Sequence, residues 1–161
     1  MFASMVCRKL LRMFLALIAL YDLELHQMNV KAAYLLKNLK SEKKSIYMCI
    51  LKSVTVKQSD RIMCWIVKRL YELKQSVRLW YKKLTDIIKN EKFWSINTDL
   101  SILISKNHNA VIIISVFVND LLIASKTMHE VNCMKTVLNE AFQMSDLDEM
   151  WIIVDLRVIR D

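Results

Sequence analysis

With 161 residues, 55% of them hydrophobic, the chain is long enough for a single domain with a real core. Lys and Arg number 24 against 16 Asp and Glu, a formal charge of +8 that permits phosphate contacts with a polyanion without demonstrating them. The four cysteines, Cys7, Cys49, Cys64 and Cys133, lie far apart with no CxxC spacing, which argues against a zinc site or a disulfide frame. They read as reduced, mostly buried thiols in an intracellular chain that is not secreted.

The N-terminal stretch "CRKLLRMFLALIALYD" has the charge order of a signal peptide. Arg12 interrupts it, no A-x-A cleavage pattern follows, and the uncharged run is too short to span a bilayer. Leu10, Leu11, Phe14, Leu15 and Ile18 recur at helical spacing, so a core-facing helix is predicted and no membrane span. "YDLELHQMNV" then reads as a strand with Leu23, Leu25 and Met28 apolar, and "KAAYLLKNL" as a short helix. "SEKKS" is a charged loop, "IYMCIL" a strand, "VTVKQSD" a loop or turn and "RIMCWIV" a further strand rich in β-formers.

From Ser76 to Phe93 the pattern turns helical, with Trp80, Leu84, Ile87 and Ile88 on one face. "LSILIS", the turn "KNHN" and "AVIIISVFV" form a β-meander, and Asn119-Asp120 turns the chain into "LLIAS". A second amphipathic helix is predicted from about Thr127 to Phe142, burying Val131, Met134, Leu138, Ala141 and Phe142, and "WIIVDLRVI" closes as a strand. The order suggests an α+β domain over residues 1–161, an antiparallel sheet backed by helices. The chain carries no Gly and no Pro, where ordinary chains have roughly 7% and 5%. Turns that need positive φ therefore fall to Asn, Asp, Lys or Ser.

"SVFVNDLLIAS" is open to two readings: a tight hairpin turn, or the remains of a metal-binding site. Other segments bear on the choice. "YDLELHQMNVKAAYL", "LYELKQSVRLWYKKL", "FVNDLLIAS" and "MSDLDEMWIIVDLRVIRD" occur in that order over nearly the whole chain. Together they resemble the reverse transcriptase of copia-type retrotransposons, part of the polymerase polyprotein of those elements. The corresponding family segments read LHQMDVKTAFL, LYGLKQSPRxWY, YVDDMLIAS and MKDLGEAKYILGMEIIRD.

The resemblance implies the fingers-palm fragment of a right-hand polymerase, with thumb and RNase H regions lying outside the chain. It implies RNA-directed DNA polymerase (nucleotidyltransferase) chemistry on an RNA or DNA primer-template with dNTP, and integrase and RNase H as former polyprotein neighbours. In such chemistry carboxylates hold two Mg²⁺ ions about 3.5–4 Å apart. The family's first-motif aspartate falls on Asn29 and its paired aspartates on Asn119 and Asp120, so Asp120 alone keeps its acid and would hold metal weakly. An amide oxygen can touch Mg²⁺ but brings no charge, so the copy is expected to be a pseudoenzyme that binds the metal unproductively.

Tyr34 stands where the resemblance implies an aromatic under the incoming sugar, although a core aromatic fits equally. Lys74, Gln75, Ser76 and Arg78 match the motif near the templating base, although a solvated helix start suits Lys74 and Arg78 as well. Trp80 and Tyr81 read as core. Where the family has Gly, this chain has Lys37, Glu72, Asp148 and Asp155; where it has Pro, Ser4 and Val77. Besides an active polymerase, two readings stand: a dead nucleic-acid-binding palm, and a decay product without function.

Overall fold

The computed structural model describes residues 8–31, 47–49, 63–65, 74–96, 100–107, 110–153 and 156–159. A helix, α1 (Arg8–Tyr21), opens the described chain and buries Leu11, Phe14 and Ile18. These follow the 3-4 spacing of one helical face, and Leu10 and Leu15 flank the same stripe half-buried. The chain turns at Asp22, φ 49°, and enters β1 (Glu24–Val30).

After two short strands, β2 (Tyr47–Cys49) and β3 (Met63–Trp65), which pair with each other, comes α2 (Lys74–Asn90). A turn through Lys92, φ 63°, leads to β4 (Trp94–Ser95), β5 (Ile102–Asn107), β6 (Ala110–Phe117) and β7 (Asp120–Ser125). Helix α3 (Met128–Ala141) follows, started by a capping box in which Glu130 accepts from the Thr127 backbone N–H at 3.1 Å. β8 (Met144–Glu149) and a small pair, β9 (Ile152–Ile153) and β10 (Leu156–Arg157), complete the described chain.

Six strands form one antiparallel sheet in the order β4-β5-β6-β7-β1-β8, with β1 between β7 and β8. Strand alternation gives the sheet two buried faces. On one, Met28, Val30, Leu121, Ile123, Ile114 and Val116 pack with Trp80, Leu84 and Ile88 of α2 and Val131, Met134 and Leu138 of α3. On the other, Leu25, Leu122 and Ala124 meet Leu11, Phe14 and Ile18 of α1. The α+β class and the sheet backed by helices agree with the sequence reading.

Several expectations need correction. The last strand is not one run over "WIIVDLRVI" but two short ones, and β8, unforeseen, takes the free edge of β1. The hairpin loop is Val118-Asn119, not Asn119-Asp120, because Phe117 pairs with Asp120 and the acid therefore begins β7. Cys49, Cys64 and Cys133 are free but exposed rather than buried; Cys133 sits on the outer side of α3, between the inward-facing Val131 and Met134. Cys7, Tyr34, Lys37, Glu72, Asp155, the helix foreseen at "KAAYLLKNL" and the loops "SEKKS" and "VTVKQSD" lie outside the described residues.

Of the four positions where the resemblance implies glycine, Asp148 is the one among the described residues. Asp148 has φ 58°, and the β1–β8 pairing slips there, with His26 opposite Glu149 but Met28 opposite Asp146. This is a bulge with a left-handed residue, the geometry in which glycine carries no Cβ penalty. Asp is among the residues that tolerate this region, and the Asp148 backbone N–H donates to Asp146 Oδ1 at 3.0 Å, a local turn bond.

Candidate functional site

Asn29 and Asp120 are cross-strand partners at the ends of β1 and β7. Alternation places Gln27, Asn29 and Asp120 on one face of the sheet, the one shared with Leu25 and Leu122. All three are half-buried; Asn29 and Asp120 lie at strand ends, while Gln27 is in mid-strand opposite Leu122, at the border of the apolar cluster under α1. The Asn29 amide donates from Nδ2 to Asp120 Oδ1 at 2.9 Å, and Gln27 donates from Nε2 to the same oxygen at 3.2 Å. Gln27 was not singled out from the sequence. Its position two residues before Asn29 on a strand was the available signal, because period-2 neighbours share a face.

Asn119 lies in the hairpin loop and contributes its backbone: its carbonyl accepts from the Val30 N–H at 2.9 Å. Beside it, Val118 has φ 59°, a left-handed conformation that costs a β-branched residue about 1–3 kcal/mol. Positive φ at the first residue of a two-residue loop matches the sense of strand twist, which explains why the hairpin demands it despite the side chain. The Val118 carbonyl accepts from the Trp80 indole Nε1–H at 2.9 Å, so α2 is tied to the tip of the hairpin. Trp80 is buried and meets Phe142 edge to face, with ring centroids 5.0 Å apart. Tyr81 is half-buried, and its hydroxyl donates to the Leu100 carbonyl.

The other residues of that motif fall on α2, which Lys74 and Gln75 begin; Arg78 is exposed on the same helix. The structure therefore brings Asn29, Asn119 and Asp120 to one strand junction, with α2 reaching them through Trp80. Among the described residues no group of three or more His, Cys, Asp or Glu side chains converges on a common point. At the junction, one carboxylate faces two amide N–H donors, a set suited to hydrogen bonding and not to a pair of dications, which need several anionic oxygens.

A second polar cluster lies on the opposite face, under α3. Lys135 is buried, its Nζ 3.0 Å from His26 Nδ1 and 2.8 Å from both oxygens of Asp146. Lysine has only hydrogens to give, so His26 accepts at Nδ1 as a neutral ring. Burial, and next the Lys135 charge, hold the His26 pKa below its usual 6.5 against the opposing charges of Asp146, Glu149 and Glu24. Burial pushes the Asp146 carboxyl up, but the Lys135 hydrogen bond, the Asp148 N–H and the Lys135 charge outweigh it and leave it lowered. The cluster joins α3, β1 and β8; Lys135 stands at i+4 from Val131 on the buried face, so its spacing was the available signal, but as a charged residue it was left out of the apolar stripe.

Among the described residues, no helix is long and apolar enough to cross a membrane. The family model described as "Reverse transcriptase (RNA-dependent DNA polymerase)" matches residues 1–161. The chain is 30% identical, over 99% of its length, to the "Retrovirus-related Pol polyprotein from transposon TNT 1-94" of Nicotiana tabacum, of which it spans 12%. No solved structure matches it. The match over the full chain, together with the similarity to the transposon polyprotein, identifies the molecule: it belongs to the reverse transcriptase (RNA-dependent DNA polymerase) family, as a copia-type retrotransposon reverse transcriptase domain.

Proposed function

We propose that residues 1–161 form one domain, fingers and palm of a right-hand polymerase, that has lost nucleotidyl transfer and keeps at most the capacity to hold primer-template. The observation that carries this reading is the 2.9 Å hydrogen bond from Asn29 Nδ2 to Asp120 Oδ1. Where the family's two-metal chemistry needs a second anionic oxygen, this chain points an N–H donor at the one acid that remains. Replacing Asp by Asn at positions 29 and 119 removes two negative charges from a site meant for two dications, and Gln27 further occupies the surviving carboxylate. Mg²⁺ is the family's metal, and the residues around Asp120 do not fit a pair of such ions.

The charge of +8 and the exposed Arg78 favour residual binding to phosphate backbones. On this reading Lys74, Gln75 and Arg78 would contact template or nucleotide, Tyr34 the incoming sugar, and the dNTP and primer-template of the family would be bound without turnover. Primer extension in Mg²⁺ and in Mn²⁺ tests the loss of activity: the chain should give no product above a blank. Extension well above a variant with Asp120→Ala would refute it. The double revertant Asn29→Asp, Asn119→Asp should regain Mn²⁺ binding. Binding to primer-template should weaken steeply with salt, and salt-independent or undetectable binding would favour a decay product over a binding palm.

A further inference from the structure

Trp80 does more than fill the core. Its ring is fixed from two sides, by burial and by the edge-to-face contact with Phe142, so its N–H has one direction in which to point. That direction is the carbonyl of Val118, the residue at φ 59° at the tip of the hairpin. The next residue gives its carbonyl to Val30 at the end of β1, and the one after that is Asp120, opposite Asn29. A β-branched residue left to itself would leave the left-handed region, and the turn would relax toward a conformer that shifts Asp120 along β1.

We infer that Trp80 is a positioning residue: its indole N–H holds the strained Val118 turn and thereby sets the register of Asp120 against Asn29. The helix motif that carries Trp80 and the hairpin that carries Asp120 act as one unit. The inference deepens the assignment of the Asp120 hairpin as the old metal junction, but its content is a matter of backbone geometry.

Amide hydrogen exchange on the full chain tests it. Trp80→Phe keeps an aromatic ring against Phe142 and deletes the N–H. Protection of the Val30 amide, which donates to Asn119, should fall about tenfold, while amides in the β5–β6 pairing keep theirs. Adding Val118→Gly to Trp80→Phe should restore Val30 protection, because glycine enters φ near 59° without the Cβ penalty that the tether opposes. A packing role alone would lower protection across the sheet and would not respond to glycine at 118. Unchanged Val30 protection in Trp80→Phe, a uniform loss, or failure of glycine to rescue would each overturn the proposal.

Should Trp80→Phe not fold, Val118→Gly alone decides the matter. Relief of strain should raise Val30 protection by about threefold, and no rise would overturn the inference. These readouts follow the hairpin and not metal. Their failure would leave the polymerase-derived reading standing, whereas a double revertant blind to Mn²⁺ would damage that reading and leave this one.

Discussion

Reverting Asn29 alone to aspartate should destabilise the protein in the absence of metal. The parent pair is a charge-assisted hydrogen bond of 2.9 Å between directly opposed residues on neighbouring strands. Asn29→Asp deletes that bond, worth roughly 1.5–3 kcal/mol when one partner is charged. It also sets two carboxylates face to face. At about 4 Å and an effective dielectric near 20 the repulsion is of order 4 kcal/mol, and solvent at this half-buried site reduces it to about 1–2. Rotation of the new side chain away from Asp120 recovers part of the sum, so the expected loss is roughly 2–4 kcal/mol. For a chain of this size that is a fall in Tm of about 4–16 °C. Thermal melts of the parent, Asn29→Asp and Asn29→Ala in chelator would separate the terms, since alanine removes the bond without adding charge. The deficit of Asn29→Asp relative to alanine should shrink at acid pH, where one carboxyl of the pair takes a proton and can donate to the other. Mn²⁺ should narrow it at neutral pH. An Asn29→Asp protein as stable as the parent in chelator, or no less stable than the alanine variant, would refute the reasoning.

Two further outcomes follow from other parts of the fold. His26 has a folded pKa below 6.5, so the unfolded chain takes up a proton that the folded one refuses; stability should be complete above pH 6.5 and decline as pH falls beneath it. Asp146 is lowered from 3.8, so its contribution persists above 3.8 and disappears as pH drops through its folded value. Denaturant midpoints should fall in two stages on acidification, and His26→Gln, which can accept from Lys135 without titrating, should abolish only the upper stage. At the β8 bulge, Asp148→Gly should stabilise by about 0.5–1 kcal/mol, because the left-handed backbone no longer carries a Cβ. A lower Tm for that variant would show that the Asp148 side chain contributes more than the strain it carries.

The parts of the fold that could be read from the sequence are those where burial is one-sided and periodic. Leu11, Phe14 and Ile18 on α1, and Val131, Met134 and Leu138 on α3, repeat at helical spacing because each helix covers one face of the sheet. β8 could not be read, since "MSDLDE" has neither alternation nor β-branched residues; it is a strand because β1 needs a partner on its free edge. The hairpin was placed one residue late because Asn-Asp is the stronger local turn signal. Cross-strand register overrode it and forced a valine into positive φ. The partners of Lys135 were invisible for a similar reason: Asp146 is 11 residues away, but His26 is 109 away, and only the folded sheet brings the three together. That Asn29, Asn119 and Asp120 would be neighbours followed from the resemblance of the motifs, whereas the hydrogen bonds from Gln27 and from Trp80 needed the geometry.

On the proposed reading, the way this site lost its acids was set by the fold that held them. Opposed carboxylates at positions 29 and 120 would be a standing repulsion that only a bound cation relieves, and in a chain no longer held to DNA synthesis nothing maintains that relief. A change from Asp to Asn at position 29 keeps the side chain's shape and turns the repulsion into a hydrogen bond. The sheet is then more stable without metal than before, so this substitution meets no resistance from folding. The opposite holds at Asp148, where a side chain at φ 58° adds strain, and the bond to Asp146 comes from the backbone N–H that a glycine would also supply. Loss of catalytic charge and loss of turn glycines should therefore pull stability in opposite directions. Restoring Asn29→Asp and Asp148→Gly separately and together measures that opposition: with the sites on opposite flanks of β1, their effects should cancel additively in part, the first lowering Tm and the second raising it.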